Sequence, residues 1–392
     1  MAESVETTAA VLREMGMPSP FAESQPLQPT LLKLEDPAEG ELLIQVRAAG
    51  LCHSDLSVIN GNRPRVMPMA LGHEASGEVL QTGSPDSPFS AGDHVVLAFV
   101  PACGACRFCR EGRPALCGPG AKANQNGSLL GGGIRIREAD GSPIHHHLGV
   151  SAFSDRIVVS EKSAVKVPDD LPFEIAALFG CAVLTGAGAV LNTAADALPA
   201  GSVAIFGLGG VGLAALLAAA SQDPATLIGI DPVPEKRALA MELGATDVID
   251  PASPDPLAQV RAAVARGLTE NEGDSAAGVD LAIETVGSEQ VLAQAFDATG
   301  RGGTTVTAGL PHPDRKLVIP AQTLTTEERT LKGSYLGSCI PSRDIPRFIA
   351  MYRDGVLPVD RLLSHRLRPE QINQGFDRLD RGEAVRQVVI FD

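Results

Sequence analysis

Four cysteines lie within fifteen residues of a 392-residue chain that contains only seven cysteines. They are spaced C-x2-C-x2-C-x7-C and comprise Cys103, Cys106, Cys109 and Cys117. So dense a set could form two disulfides or hold a metal ion through its thiolates. Disulfide frameworks are typical of small secreted domains, whereas a chain this long can build a core without cross-links. Four thiolates can surround one Zn²⁺ and leave no position for a substrate, so we expect a structural zinc site. An iron–sulfur cluster is the main alternative, but the C-x3-C-P ending of ferredoxins is absent.

Two further cysteines and a histidine indicate a second metal site. Cys52 belongs to the run GLCHSD, His73 follows twenty-one residues later in GHE, and Cys181 lies in FGCAV. Taken singly, a buried cysteine is more often a small apolar residue, and a histidine more often a hydrogen-bonded core residue. Taken together, they form a three-ligand set that leaves a fourth position for water or an alcohol, as a catalytic zinc requires. Cys339 has no such context and is interpreted as an ordinary packed thiol.

A glycine-rich segment in the middle of the chain predicts a dinucleotide-binding turn. The apolar run SVAIF leads into GLGGVG, which contains G-x-G-x-x-G, and an Ala/Leu-rich helical stretch follows. Gly207 permits the tight turn, Gly209 lets a pyrophosphate approach the backbone, and Gly212 lets the helix pack closely on the strand. Gly210 and Val211 lie in the same turn, and the N-terminus of the helix faces the phosphates with free N–H groups.

An acidic residue at the expected distance indicates which nicotinamide cofactor binds. Asp231 ends the next apolar run, nineteen residues after Gly212. A carboxylate there can accept both ribose hydroxyls of NAD and would repel the 2′-phosphate of NADP, so we expect NAD. Lys236, a candidate cofactor contact, and Arg237 leave a dual or NADP preference open, although both would also fit the solvated start of a helix.

Elements of two kinds must position these residues. The first part of the chain has short strand-like runs, such as residues 41–48, divided by turns rich in Gly, Pro and Ser. Over residues 182–324 apolar strands alternate with Ala-rich helices, which indicates a parallel, doubly wound sheet. Residues 118–150 are Gly-rich without a clear period, and we expect a functional surface loop there. The tail from Thr330 should return to the first domain with two helices and a last strand.

Ordered motifs from about Thr8 onward make the chain resemble a zinc-containing alcohol dehydrogenase of the medium-chain dehydrogenase/reductase superfamily. The matching pieces are GLCHSD, GHEASGEV, GDHV, the four-cysteine loop, Cys181, GLGGVG and GEAVR. The resemblance implies an α/β protein with a GroES-like, β-rich catalytic domain over residues 1–182. It further implies a doubly wound Rossmann domain for NAD over residues 183–325, and a return to the catalytic domain over residues 326–392.

The resemblance also implies roles around two zinc ions. It places Cys52, His73 and Cys181 on the catalytic zinc, and it gives Ser54 a bond to the substrate oxygen as the first step of proton transfer.

Two carboxylates and two cationic residues complete the implied site. Glu74 should lie behind the zinc and assist ligand exchange, and Asp55 should orient His73. Either carboxylate could instead form a simple salt bridge. His53 and Arg386 correspond to family positions that contact the cofactor pyrophosphate.

Three positions depart from the family pattern. Five residues after the first zinc-binding cysteine the family often has a histidine that passes the proton to solvent, but this chain has Ser57. The proton must then leave through the cofactor ribose and water or through His53. Arg63 and His147 replace apolar or aromatic residues near the substrate entrance and the pocket wall, although the run HHH could be an ordinary polar loop.

Together these observations predict an oxidoreductase that transfers a hydride between NAD and a primary or aromatic alcohol or its aldehyde. A glutathione-dependent formaldehyde dehydrogenase is a close alternative, but Ala121 stands where that class has an arginine for the glutathione carboxylate. A non-catalytic relative would have lost zinc ligands, whereas all seven presumed ligands are present.

Composition limits the partners and the compartment. The net charge of −15 argues against nucleic acid or an anionic membrane as a partner. The sequence has no apolar run of membrane-spanning length, and residues 1–8 lack the features of a targeting peptide. We expect a cytoplasmic homodimer or homotetramer whose partner is a small alcohol or aldehyde.

Overall fold

The protein is represented by a computed structural model that describes residues 5–267 and 278–392. These residues form two compact units. The first unit contains the described residues up to Cys181 together with Ile340–Pro346 and Leu363–Asp392. The second contains the described residues of Ala182–Cys339 and Arg347–Leu362.

Short strands dominate the chain up to Cys181. The strands are β1 (Val5–Leu12), β2 (Leu27–Leu34), β3 (Glu41–Gly50), β4 (Met69–Ala70), β5 (Ala75–Thr82), β6 (His94–Leu97), β7 (Ile136–Arg137), β8 (Pro143–His146), β9 (Arg156–Ser160) and β10 (Ala164–Lys166). The helices are α1 (Phe21–Ser24), α2 (His53–Ile59), α3 (Arg107–Arg110), α4 (Gly118–Asn126) and α5 (Phe173–Ala176).

Strands and helices alternate after Cys181. The elements are α6 (Ala182–Gly188), β11 (Ser202–Phe206), α7 (Gly210–Ala220), β12 (Thr226–Ile230), α8 (Pro234–Glu242), β13 (Asp247–Ile249), α9 (Pro256–Gly267), β14 (Val279–Glu284), α10 (Glu289–Ala298), β15 (Thr299–Thr307), α11 (Ala321–Thr326) and β16 (Thr330–Gly333). The C-terminal elements are α12 (Pro341–Arg353), β17 (Leu363–Leu367), α13 (Ile372–Asp380) and β18 (Arg386–Ile390).

In the first unit the strands form a closed barrel and a mixed sheet. The barrel order is β1-β2-β7-β8-β4, and the sheet order is β10-β6-β5-β3-β18-β17 with β9 also paired to β3. The inward residues of β3 and β5 are buried aliphatic side chains such as Ile44, Val46 and Val79, as expected where a strand buries a face against a core. The returning strand β18 pairs antiparallel with β3, with Val389 opposite Ala49. The predicted GroES-like, β-rich fold class is confirmed.

The expectation of a surface loop over residues 118–150 was wrong in one respect. This segment contains α4, β7 and β8, and the two strands complete the barrel by pairing with β2 and β4. Strands of two and four residues are too short to show a period of two in the sequence, which is why the pattern was missed.

The second unit contains a parallel sheet, as predicted. Within its described residues the strand order is β13-β12-β11-β14-β15-β16, and every neighbouring pair is parallel. Numbered from β11, this is the 3-2-1-4-5-6 order of a dinucleotide-binding Rossmann fold. The observed division differs from the predicted return at residue 326, because β16 pairs with β15 and so extends the parallel sheet.

Over the described residues no single helix is both long and apolar enough to cross a membrane. The consecutive helical segments Phe173–Gly180 and Ala182–Thr193 pass that test only as a bent pair, and most of their residues are buried in the protein.

Candidate active site and metal centres

Cys52, His73 and Cys181 meet in the first unit, although they are far apart in the sequence. Cys52 is the N-cap of α2, His73 lies between β4 and β5, and Cys181 follows a helical turn directly before α6. One ligand atom of each residue lies within 4.8 Å of the others. All three are buried, with His73 fully enclosed. The structure therefore brings together the predicted three-ligand set.

The polar atoms of this cluster fit a metal ion. Nδ1 of His73 lies 3.0 Å from Oδ1 of Asp55, while Nε2 is buried and has no hydrogen-bond partner among the described residues. A buried nitrogen of this kind costs free energy unless something binds it. The hydrogen bond between the two thiols holds the pKa of Cys52 well below its usual value and raises that of Cys181. The two sulfurs and Nε2 lie close enough together for one zinc ion to bind all three.

Asp55 lies directly behind His73, as the resemblance implied. It is fully buried in the first turn of α2, three residues after the N-cap Cys52, and it accepts the N–H of Gly72 at 3.2 Å. Burial pushes the pKa of Asp55 upward, but the nearby imidazoles of His73 and His147 outweigh this effect and hold it below its usual value. Asp55 is therefore an anion that can keep a proton on Nδ1 of His73 and leave Nε2 free for a metal.

His147 is a neighbour of Asp55 that sequence reasoning did not connect to it. Its Nδ1 lies 3.0 Å from the same Oδ1 that contacts His73, and its ring meets the His73 ring edge to face at 5.6 Å. Burial lowers the pKa of His147, and the charge of Arg65 acts in the same direction. The only signal was the departure of His147 from the apolar residues usual at this position, and it gave no indication of a contact with Asp55.

Glu74 and Arg386 form a buried ion pair beside the same cluster. Nη2 of Arg386 donates to Oε2 of Glu74 at 2.7 Å, and Nη1 donates to the carbonyl of Leu51 at 3.1 Å. Burial raises the pKa of Glu74 to about 7, although the charge of Arg386 acts against that rise. The charged neighbours Glu74 and Cys52 raise the pKa of Arg386 despite its burial. Glu74 thus lies next to the candidate metal ligands, while the predicted pyrophosphate contact of Arg386 stays a prediction.

The proposed proton-transfer residues lie on α2. Ser54 is in the first turn of this helix and half-buried, whereas His53 beside it is exposed. At the position where relatives have a histidine, Ser57 donates its hydroxyl to the carbonyl of His53 at 2.8 Å. The hydroxyl of Ser57 is therefore occupied within the helix.

The four clustered cysteines form a second group of possible ligands, in a more exposed environment. Cys117 is buried, and the other three are half-buried. Their ligand atoms also lie within 4.8 Å of one another, and none of the chain's seven cysteines is in a disulfide.

Backbone N–H groups point at these sulfurs. Cys106 donates to Sγ of Cys103 at 3.3 Å, and Gly120 donates to Sγ of Cys117 at 3.4 Å. The backbone bond from Cys109 lowers the pKa of Cys106 to about 6, whereas burial raises that of Cys109 to about 12. Four sulfurs so close together cannot all be thiolates at neutral pH without a cation among them, so the group fits one zinc ion.

The glycine-rich turn in the second unit has the shape that a pyrophosphate requires. Gly207 follows β11 with a φ of +90°, and a side chain there would meet Cγ2 of Val286 at 2.6 Å. A side chain at Gly212 would overlap the carbonyl of Gly207, so helix α7 packs against the turn at this point. A side chain at Gly209 would meet no atom within 4 Å, which leaves open space beside the N-terminus of α7 at Gly210 and Val211. That space is where a phosphate would accept backbone N–H groups.

Asp231 lies at the end of β12 beside this turn. It is 6% exposed, and its two oxygens accept the N–H groups of Leu208 at 2.8 Å and Val233 at 2.9 Å. An ionised carboxylate has about four acceptor positions, so two remain for ribose hydroxyls. Lys236 is largely buried on α8, and Arg237 donates to the carbonyl of Asp231 at 2.7 Å.

Comparison with known proteins agrees with this geometry. Residues 38–169 match the family model of the alcohol dehydrogenase GroES-like domain, and residues 210–354 match that of the zinc-binding dehydrogenases. The NDMA-dependent alcohol dehydrogenase of Amycolatopsis methanolica is 37% identical, with 98% of this chain and 99% of the relative aligned. The geraniol dehydrogenase of Castellaniella defragrans is 36% identical, with 99% and 98% aligned.

A solved structure shows the same likeness over the whole chain. The crystal structure of benzyl alcohol dehydrogenase from Acinetobacter calcoaceticus superposes with a TM-score of 0.88 at 31% identity, and the match covers 99% of this chain and all of that one.

Proposed function

Because the chain belongs to the zinc-containing alcohol dehydrogenases of the medium-chain dehydrogenase/reductase superfamily, which are zinc- and nicotinamide-dependent oxidoreductases, we propose that it oxidises primary or aromatic alcohols with NAD. The reverse reaction reduces the corresponding aldehydes. The observation that carries this proposal is the buried cluster of Cys52, His73 and Cys181, in which Nε2 of His73 has no hydrogen-bond partner among the described residues.

Zinc at this cluster would act as a Lewis acid that makes the hydroxyl of an alcohol more acidic, and NAD would accept the hydride. Three protein ligands leave one position for the substrate oxygen, which the four-cysteine group does not. Asp55 keeps the proton of His73 on Nδ1, so that Nε2 remains a ligand. Glu74 and Arg386 form a buried ion pair beside the ligands, with Nη2 of Arg386 2.7 Å from Oε2 of Glu74.

Ser54 is proposed to relay the proton released by the alcohol, its hydroxyl oxygen accepting that proton while its own proton passes to the next acceptor. It lies two residues from Cys52 in the first turn of α2, and its neighbour His53 is exposed to solvent. Since Ser57 has no ionisable group, the proton would reach water past His53 rather than along the helix. A transfer of this kind is efficient when the pKa of the group that accepts the proton lies near the pH at which the enzyme works.

The substrate class is proposed from two of the relatives whose names state a substrate, while others are named S-(hydroxymethyl)glutathione dehydrogenase. Geraniol and benzyl alcohol are both primary alcohols in which an unsaturated carbon adjoins the carbon that carries the hydroxyl. His147 and Arg65 give this chain polar side chains near the ligand cluster. We therefore propose unsaturated or aromatic primary alcohols, with a polar group tolerated at one side.

Asp231 supports NAD rather than NADP as the cofactor. Its buried carboxylate lies at the strand end beside the glycine-rich turn, where a 2′-phosphate would meet a like charge. Arg237 is held at the carbonyl of Asp231 and its side chain also contacts Asp250, so its charge is already compensated.

The test is an assay of the zinc-loaded protein with a panel of alcohols and with NAD or NADP, followed by the appearance of the reduced cofactor. We expect turnover of benzyl and allylic primary alcohols with NAD. The absence of reduced cofactor with every alcohol, and of aldehyde reduction in the reverse assay, would contradict the proposal.

A second candidate follows from the name of one relative, which states a dependence on NDMA. In that case the protein would turn over only when NDMA is added. Aldehyde formation that requires NDMA, with no free reduced cofactor, would favour this candidate over the first.

The remaining parts of the proposal are two zinc ions per chain, a homodimer or homotetramer, and a cytoplasmic location. Elemental analysis and light scattering of the purified protein would test the zinc content and the assembly.

A further inference from the structure

His147 and His73 contact one oxygen of Asp55. Both Nδ1 atoms lie 3.0 Å from Oδ1 of Asp55, and the N–H of Gly72 donates to the same oxygen at 3.2 Å. Asp55 and His73 are fully buried, and His147 is 1% exposed. Nδ1 of His73 and the N–H of Gly72 hydrogen-bond to this oxygen, whereas Nδ1 of His147 makes a close polar contact with it that lacks hydrogen-bond geometry. A buried carboxylate depends on polar contacts to keep its charge, and His147 supplies one without also belonging to the cysteine cluster.

The backbone fixes His147 at this place. Its N–H donates to Oγ of Ser151 at 2.9 Å, and its carbonyl accepts the N–H groups of Val150 at 3.0 Å and Ser151 at 3.2 Å. Leu148 and Ser151 both have positive φ values, 52° and 58°, which non-glycine residues seldom adopt. A turn of this kind costs free energy, so the position of the His147 ring is determined by the surrounding fold and not by a flexible loop.

The ring of His147 also restricts His73 directly. It packs edge to face on His73, with the ring planes at 88°, and Phe99 packs on His73 in the same way at 90°. The His73 ring is thus held between two rings while Asp55 holds its Nδ1. Phe99 restricts the His73 ring by packing alone, whereas His147 packs on that ring and also places a polar nitrogen 3.0 Å from Asp55.

We propose that His147 is a positioning residue for the metal centre: it holds Asp55 in the orientation that keeps His73 directed at the zinc. This inference rests on the proposed zinc at Cys52, His73 and Cys181. Groups that orient a metal-binding histidine typically change metal affinity by about 10- to 100-fold when they are removed. His147 should therefore control how firmly the zinc is held, apart from any effect on substrate.

The experiment measures the release of zinc from the loaded protein to a coloured chelator. In the parent, two phases of release are expected, one from each cysteine cluster, and Cys52→Ser identifies which phase belongs to the buried cluster. His147→Phe keeps a ring of similar shape and removes both nitrogens. It should accelerate that phase at least tenfold, whereas the phase of the four-cysteine group should not change.

Two further variants separate positioning from general damage. His146→Phe is the matched control. His146 is the preceding residue and is equally buried, but its Nε2 accepts the N–H of Arg135 instead of contacting Asp55. It should release zinc at the parental rate. His147→Gln retains a polar side-chain nitrogen and should restore at least part of the slow release. If His147→Phe does not fold, His147→Leu, which also lacks both nitrogens, serves as the test and should show the same acceleration.

A double variant tests the route through Asp55. If His147 acts through that carboxylate, His147→Phe should have little further effect in an Asp55→Asn background. A parental release rate in His147→Phe, or in His147→Leu where it serves as the test, would overturn the proposal, as would an undiminished effect in the Asp55→Asn background.

Two other results would point elsewhere. Asp55, His73 and His147 could themselves hold an ion, so a third zinc per chain that is lost in His147→Phe would make His147 a ligand and overturn its positioning role. A parent that holds zinc only at the four-cysteine group would contradict the proposed function itself. That result is distinguishable, because Cys52→Ser would then leave the zinc content unchanged.

Discussion

The two cysteine clusters of the first unit use the same thiol chemistry in contrasting environments. The cluster of Cys52, His73 and Cys181 is buried, and ionisable side chains surround it, among them Asp55 and Glu74. The four-cysteine group is half-exposed, and backbone N–H groups donate to its sulfurs. A site whose charge changes during a reaction needs nearby ionisable side chains that can compensate that change. A site that only cross-links segments of the backbone does not. This contrast supports the proposal that the buried cluster is the reactive site and the four-cysteine group a structural one.

The comparison also explains the different ligand counts. Four thiolates satisfy a tetrahedral zinc and close it to other ligands, and short local spacing is enough to form such a group. Three ligands from separate elements leave one position open, but their geometry then depends on the packing of the whole unit. We expect substitutions in the buried cluster to lower mainly the activity, and substitutions in the half-exposed group to lower mainly the stability of the fold.

The largest expected effect is the loss of activity on substitution of Cys52. Cys52→Ser should lower kcat/KM by at least about 1,000-fold, or roughly 4 kcal/mol at 1.36 kcal/mol per factor of ten, because a zinc ligand is removed. The melting temperature should change by only a few degrees, since serine has nearly the same volume. Steady-state kinetics and thermal unfolding of the zinc-loaded proteins measure both.

The control for this variant is Cys339→Ser. Cys339 is equally buried but lies in the second unit, where its sulfur contacts the carbonyl of Leu184 at 3.2 Å. Its substitution should leave kcat/KM close to the parental value. If Cys52→Ser retained activity within a factor of ten, the buried cluster would not be the reactive site.

Substitution in the four-cysteine group should produce the opposite pattern. Cys106→Ala should destroy one ligand set and lower the melting temperature by about 5 to 10 °C, which corresponds to roughly 2 to 3 kcal/mol for a unit of this size. The remaining folded protein should keep much of its kcat, because the buried cluster is intact. Calorimetry with and without chelator checks this, and a Cys106→Ala protein that melts like the parent would argue against a structural metal.

The third effect lies in the second unit and should leave both clusters untouched. Asp231→Gly should raise the kcat/KM for NADP relative to that for NAD by at least about tenfold, which needs only about 1.4 kcal/mol. The reason is the loss of a buried charge that would face the 2′-phosphate. Asp231→Asn, which keeps an acceptor for the N–H of Leu208, separates the charge from the structural bond. An unchanged cofactor ratio in both variants, at parental zinc content, would mean that Asp231 does not face the ribose.

Local motifs explain why much of this molecule could be predicted from the sequence. The four cysteines and the glycine-rich turn are each contained in a short segment, so their geometry follows from spacing and from the adjoining strand or helix. The parallel sheet was predictable for the same reason, because its strands and helices alternate regularly along the chain. The three-ligand set comes from distant elements; its residue types and local motifs indicated it, and the family resemblance then implied the same three ligands.

Contacts that depend on tertiary packing could not be predicted in this way. The sequence gives no reason to join His147 to Asp55, since His147 directly follows β8 and Asp55 lies on α2, and the approach of these two elements depends on the barrel. The pairing of Arg386 with Glu74 likewise depends on the antiparallel register of β18 and β3. The barrel itself was missed in part because β4 and β7 have only two residues each, too few to show a pattern.

The smallest expected effect concerns the arginines that follow α2, and it would refine the description of the buried site. Arg63 is half-buried, and its backbone N–H donates to the carbonyl of Ser57 at 2.7 Å, while the charge of Arg65 is close enough to help lower the pKa of His147. A guanidinium at the mouth of the substrate channel would bind a carboxylate at the far end of a substrate by charge-assisted hydrogen bonds. Such a contact is equal in the ground and transition states, so it should appear in KM and not in kcat. In Arg63→Leu we expect the KM for an ω-hydroxy acid to rise about three- to tenfold relative to the KM for the unsubstituted alcohol, a difference of roughly 1 kcal/mol.

Arg65→Leu is the matched variant, and a KM ratio that shifts there but not in Arg63→Leu would assign the contact to Arg65. If the ratio is the same in the parent and both variants, neither arginine recognises the substrate, and the site favours a neutral alcohol.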